Sequence, residues 1–281
     1  MESYRLRPFG YSLVTPLYIL VVLALGCIVK PTMKPGDFII QYPHASDSFL
    51  VRVTDLTGDA GLHDTINIVY YVDESLKSGK QTEIMIEKHR SSLLQKRYAF
   101  VGIAHFGYFR SKRRRDFISP SIKTEKGFVG RNGNYGQADT FYQLLKNRIT
   151  PTVEEKFSGH PIRRSFIGHS LGGLFATYLL VSNDSLFEKL YALSPSLWID
   201  DYHLLDYESL QKARLMNVRK DIWISCGSAE TLNRIKGCVQ RMEDTLKIRK
   251  YPDIRYSVKI YDGKTHNSSV GSALDEIFKR F

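Results

Sequence analysis

Arg164-Ser165-Phe166-Ile167-Gly168-His169-Ser170-Leu171-Gly172-Gly173-Leu174-Phe175-Ala176-Thr177 is the stretch on which the fold turns. It contains Gly168-x-Ser170-x-Gly172, with Gly173 following. In a chain with 20 glycines the bare pattern arises by chance in roughly one such protein in ten. Its surroundings carry the weight. A short apolar strand precedes it and an apolar helix start follows, so Ser170 falls on a strand-to-helix turn. Such a turn holds the serine in strained backbone geometry and requires residues without bulk two positions to either side. The hydroxyl then projects above the strand ends, at a helix N-terminus whose dipole favours developing negative charge. The plainer reading, a glycine-rich turn with a capping serine, gains nothing from this context.

Outward from the motif, strand-like and helix-like runs alternate. Strands are expected at Asp37–Tyr42, Phe49–Leu56, Thr65–Val72, Tyr98–Ala104, Arg164–Gly168, Lys189–Leu193, Asp221–Cys226 and Ile254–Tyr261. Helices are expected at Glu83–Lys96, Gln137–Phe157, Leu171–Val181, Leu232–Arg249 and Ser269–Arg280. The first strands follow one another as in antiparallel hairpins, and from Thr65 onward strands and helices take turns, as in parallel crossover units. The pattern predicts an α/β-hydrolase fold: a mostly parallel central sheet, antiparallel N-terminal strands, and helices on both faces.

A serine hydroxyl is a weak nucleophile without a base. In this fold the partners follow in the order serine, acid, histidine. Only His203 and His266 follow Ser170, and His203 precedes the strand that should carry the acid, so chain order selects His266. The acid is more open. Glu230 follows strand Asp221–Cys226 and is placed to orient the His266 ring, or else it only complements the dipole of the next helix. Asp262 is the alternative, and a Ser–His dyad without an acid is a third. Two backbone donors should hold the oxyanion: the Leu171 amide and one from Asp73-Glu74-Ser75.

Composition bounds the rest. At 281 residues with 43% apolar content, the chain is long enough for one large α/β domain with a real core. The net charge of +11 favours anionic partners, yet no zinc spacing, RNA-binding signature or basic heptad helix points to nucleic acid. There is no His-Glu-x-x-His, and the eight histidines lack ligand spacing, so a metal-dependent hydrolase is not expected. Residues 1–29 combine Arg5 and Arg7 with the uncharged run Leu13–Val29, the layout of an export signal. Three readings compete: a lipoprotein cleaved before Cys27, an uncleaved membrane anchor, or an ordinary helix. The first two place the 30–281 catalytic domain on the exported side of a membrane. Cys226 and Cys238 could pair in an exported protein or remain separate buried thiols.

Three blocks, Gly168–Phe175 (GHSLGGLF), Ser194–Trp198 (SPSLW) and Gly263–Ser268 (GKTHNS), resemble the Putative esterase family of α/β hydrolases. The pattern is most similar to the enterobactin and salmochelin esterase-like proteins, and covers roughly residues 60–281. The resemblance implies a serine carboxylesterase without metal or cofactor, with Ser170 and His266 as its pair and an acid where Glu230 stands. It also implies an Asp-Gly turn that supplies the second oxyanion amide. Here Asp73 matches but Glu74 replaces the glycine, which puts the Ser75 amide in question. An Arg-Asp-x-x-Pro-like segment is present as Arg115-Asp116-Phe117-Ile118-Ser119-Pro120, one residue longer.

The basic run Arg110, Lys112, Arg113, Arg114, Arg115 is expected in a loop at the same sheet edge as the serine. There Arg113 and Arg115 would draw in an anionic ester, a ferric catecholate or an acidic acyl ester, unless the run is only a solvated loop or a contact with an anionic membrane. Trp198 and Phe106 are candidates for the pocket wall, or else for the core. The leading expectation is ester hydrolysis through an acyl-enzyme. Acyl transfer on the same fold and a membrane-tethered, non-catalytic binding protein are the alternatives.

Overall fold

The computed structural model describes residues 28–29, 31–42, 47–61, 63–120, 136–182, 185–199 and 202–281. The proposed export segment, including Cys27, otherwise lies outside the described residues. Its last two residues, Ile28–Val29 (β1), pair antiparallel with Gly107–Tyr108 (β6).

The remaining strands are β2 (Phe38–Gln41), β3 (Ser48–Leu56), β4 (Ile66–Val72), β5 (Tyr98–His105), β7 (Ile162–His169), β8 (Lys189–Leu193), β9 (Lys220–Gly227) and β10 (Ile254–Tyr261). They form one eight-stranded sheet in the order β10-β9-β8-β7-β4-β5-β3-β2. The β2–β3 and β3–β5 pairs are antiparallel, and every other pair is parallel. This is the α/β-hydrolase arrangement the alternation predicts. In the centre, β5 is buried at all eight positions, as a strand covered on both faces must be. β10, at the edge, alternates toward solvent.

The helices are α1 (Lys77–Lys88), α2 (Arg90–Gln95), α3 (Phe109–Phe117), α4 (Ala138–Leu144), α5 (Thr150–Glu154), α6 (Leu171–Val181), α7 (His203–Leu215), α8 (Gly237–Arg249) and α9 (Ser268–Arg280). One face of the sheet packs on α1, α2 and α9 through Ile86, Leu93, Val270, Leu274 and Phe278. The other face packs on α4 to α8. The helix expected over 137–157 is a composite: Leu145–Ile149 is a π turn between α4 and α5, and a 3-10 turn closes it. Pro151 sits at the start of α5; it has no amide to donate, so the regular ladder breaks just before it. The helix expected over 83–96 starts earlier and divides at His89.

The strand order reverses between β4 and β7. In open α/β sheets the binding crevice lies at such a point, beyond the carboxyl ends of the strands. Asp73 follows β4, Ser170 follows β7, Ser194 follows β8, Glu230 follows β9 and His266 follows β10. Among the described residues no helix is long and apolar enough to cross a membrane.

Candidate active site

Ser170 has φ 60° and ψ −114°, a conformation that side chains rarely adopt. The glycines around it are obligatory. A Cβ on Gly168 would collide with the Gly172 carbonyl, and one on Gly172 would lie 2.8 Å from Val72 Cγ2. Gly173 lets α6 approach β8, where a Cβ would lie 2.9 Å from the Leu193 carbonyl. Two backbone bonds pin the turn: Ser170 N–H to the Leu193 carbonyl (2.9 Å) and Ser196 N–H to the Ser170 carbonyl (3.1 Å). α6 is buried from Gly172 to Val181, so the elbow rests on an element that cannot shift without opening the core.

Ser170 and His266 line one pocket of about 290 Å³, together with Asp73, Lys77, Phe109, Arg113 and His169. The His266 Nδ1–H donates to Glu230 Oε2 at 2.8 Å, which leaves Nε2 free to accept a proton. The imidazole is open to the pocket while the carboxylate is buried. Oε1 of Glu230 accepts from the Gly227 amide (2.6 Å) and the Ser194 hydroxyl (2.7 Å), with Ser269 further off at 3.5 Å. Burial pushes this carboxyl up, but the hydrogen bonds from His266, Gly227 and Ser194 outweigh it and hold the pKa below the usual range. Asp262 is turned elsewhere and accepts from the Ser228 hydroxyl at 3.1 Å. The Ser170 hydroxyl rests against Ser196 Oγ at 3.3 Å, not on the His266 ring.

The turn after β4 closes through the Leu76 amide onto the Asp73 carbonyl (2.8 Å), and the Glu74 amide reaches the Ile103 carbonyl (3.3 Å). The Ser75 amide has no acceptor among the described residues, and Leu171, as first residue of α6, has no intrahelical acceptor for its own. Glu74 costs the turn nothing. The left-handed residue is Asp73 (φ 62°), a type that tolerates this region. The Glu74 side chain passes over Gly102, where a Cβ would clash with it, and pairs with Arg52.

The basic run needs correction. It is helix α3, not a loop, and its arginines serve different ends. Arg115 is not among the residues lining the pocket. It is buried, bonded to Asp116 through Nε (2.7 Å) and Nη2 (2.9 Å), paired with Asp47, and stacked 4.2 Å from the Tyr42 ring centroid. A guanidinium so buried, and so paired, is turned away from the pocket rather than toward a substrate. Arg113 does line the pocket, but its fork is held by both Asp73 oxygens at 2.7 and 2.8 Å. Trp198 is half-buried against the core with Arg234 over its ring at 5.1 Å, and does not line this pocket. Phe109, not Phe106, contributes the aromatic wall. Sequence reasoning also missed Lys77, Ser194, Ser196 and His169. The SPSLW block marked two of them, since both its serines bond to site residues. Cys226 and Cys238 are separate buried thiols, both pushed up in pKa by burial. Among the described residues no cluster of side chains could hold a metal.

With this geometry in place, comparison with known proteins is specific. The model of the family described as "Putative esterase" matches residues 102–275. The ferri-bacillibactin esterase BesA of Bacillus subtilis is 25% identical over 214 residues, 72% of this chain and 73% of its own. The siderophore enterobactin esterase of Emericella nidulans is 30% identical over 158 residues, 53% of this chain and 52% of its own. Among solved structures, the BES protein from Bacillus cereus superposes with TM-score 0.72 at 18% identity, covering 90% of this chain and 98% of that one. The siderophore hydrolase EstA from Aspergillus nidulans gives 0.69 at 23%, covering 90% and 97%.

Proposed function

The chain belongs to the Putative esterase family, and from that premise we propose that it hydrolyses carboxylic esters through an acyl-enzyme on Ser170. His266 is the general base and Glu230 holds its ring. Ser170 swings from Ser196 toward His266 and gives its proton to Nε2 as Oγ bonds to the ester carbon. The carbonyl oxygen becomes an oxyanion facing the Leu171 and Ser75 amides, each such donor worth about 3 kcal/mol in the transition state. Collapse breaks the ester C–O bond, and the leaving alkoxide takes the proton from His266. Water then repeats the sequence on the acyl-enzyme and frees the acid. The observation that carries this reading is the 2.8 Å bond from His266 to a buried, ionised Glu230, at the pocket that Ser170 also lines.

A fluorophosphonate probe tests it. Wild-type protein is expected to label covalently and to cleave p-nitrophenyl acetate. Ser170→Ala should lose labelling and drop kcat by roughly five to six orders of magnitude. Unchanged labelling in that variant would sink the reading.

The relatives act on siderophore esters by name, and the pocket supports an anionic ester of that kind here. Lys77 is exposed at its rim, with no ion pair among the described residues, whereas Arg113 is already neutralised by Asp73. With residues 1–29 read as an export segment, hydrolysis would take place outside the cytoplasm.

A further inference from the structure

The proposed mechanism leaves one imidazole at the site unused, that of His169, the residue between Gly168 and the nucleophile. We propose that His169 is a positioning residue for the catalytic base, tying the His266 main chain to the nucleophile elbow through its Nε2–H. This rests on the reading of Ser170 and His266 as reacting groups.

The two catalytic side chains come from distant parts of the chain. His266 lies in a loop beyond β10, an edge strand bonded to β9 alone. Most restraints on that loop lead back to β9: the Ala229 amide donates to the Lys264 carbonyl (3.0 Å), and the Gly263 amide donates to Ser228 Oγ (2.8 Å). The bond from His266 to Glu230 does the same. These fix the base relative to the acid, and a longer contact from Ser269 Oγ to the His266 carbonyl (3.4 Å) leads only to Ser194 after β8, so none of them bonds the loop to the nucleophile elbow. His169 supplies that link. Its Nε2 lies 3.0 Å from the His266 carbonyl oxygen, across 97 residues of chain, and its ring packs on the His266 ring with centroids 4.6 Å apart.

A carbonyl oxygen only accepts, so His169 must carry its proton on Nε2. It must also stay uncharged, because a cation stacked on the imidazolium formed during catalysis would oppose proton transfer. Burial, then the neighbouring His266 ring, push its pKa down to about 3. A neutral donor on the residue beside the nucleophile moves with the nucleophile. Displacements of about 1 Å between reacting groups cost on the order of a hundredfold in rate.

Three variants test this on p-nitrophenyl acetate, with thermal melts run alongside. His169→Phe keeps the ring and removes the donor; kcat should fall about a hundredfold with KM within about twofold of wild type. His169→Gln puts an amide N–H where Nε2 stood and should recover kcat to within about tenfold of wild type. His169→Asn puts its amide at the Nδ1 position, too short to reach, and should resemble His169→Phe. If His169→Phe fails to fold, the Gln–Asn contrast still decides. The proposal is overturned if folded His169→Phe or His169→Asn turns over as wild type does, or if His169→Gln falls as far as they do at an unchanged melting temperature. A wild-type protein whose turnover survives Ser170→Ala overturns the underlying reading instead.

Discussion

Glu230 divides its two oxygens between different duties. Oε2 accepts the hydrogen bond from His266 Nδ1–H, and Oε1 accepts from a main-chain amide and the Ser194 hydroxyl. The second set keeps the carboxylate ionised in a buried place, and the first uses that charge to fix the imidazole tautomer. Glu230→Gln should therefore lower kcat by about three to four orders of magnitude while leaving KM nearly alone. Asp262→Asn, which disturbs only a bond to Ser228, should change kcat less than about threefold. Reversal of these two effects in steady-state kinetics would reassign the acid. At this scale the meeting of the proposed nucleophile and base in one pocket is legible from chain order and glycine spacing. The choice between Glu230 and Asp262 is not, because it depends on how two loops interlock. A Cβ on Gly227 would strike the Lys264 carbonyl, and the loops therefore close with Glu230 inward and Asp262 outward.

Helix α3 shows where pattern reading fails at the level of elements. Phe109–Phe117 is five-ninths Arg and Lys in a run with no apolar stripe, so nothing in its periodicity signals a buried helix. Its C-terminal end is buried all the same, because Arg115 and Asp116 satisfy one another and His105 inside the protein. Helix α7 is likewise unmarked, with Tyr202 in the left-handed region ahead of it and no capping side chain. The strands of the eight-stranded sheet, in contrast, fall within a few residues of their expected places, since the covered ones leave apolar runs and the edge strand β10 an alternation that ion pairs cannot imitate, whereas the two-residue β1 and β6 are too short to leave either pattern. The position of α3 also reassigns Arg113. It grips the Asp73 carboxylate at the turn that carries the Ser75 amide, and Gly79 lets α1 close on the same turn. Arg113→Gln should lower kcat on neutral and anionic esters alike, by about tenfold. Lys77→Gln, at the exposed rim, should raise KM about three- to fivefold for anionic esters alone. A selective anionic defect in the arginine variant would restore it as a substrate contact.

Across the whole molecule, two groups at the site couple folding to acidity in the same direction. His169 titrates near 6.5 in an unfolded chain and near 3 when folded, so between those values the unfolded state binds one proton more. Its contribution is complete above about pH 6.5 and declines as pH falls, by about 1.4 kcal/mol per pH unit. Glu230, whose carboxyl is depressed, adds a further loss below the ordinary carboxylate range. Urea midpoints should be level from about pH 8 to 7 and fall below about 6.5, with a shallower fall in His169→Gln. An identical slope in that variant would mean the folded histidine is protonated after all.

The edge position of β10 has one more consequence. A strand with a neighbour on one side only can fray at the cost of a single ladder, and this one leads into the loop of the proposed base while the proposed nucleophile follows a strand at the centre of the sheet. Mild stress can therefore silence the enzyme by peeling back its hem while the body stays folded. A sample judged by turnover alone would then look far more damaged than it is, and gentle reannealing of one strand would bring it back.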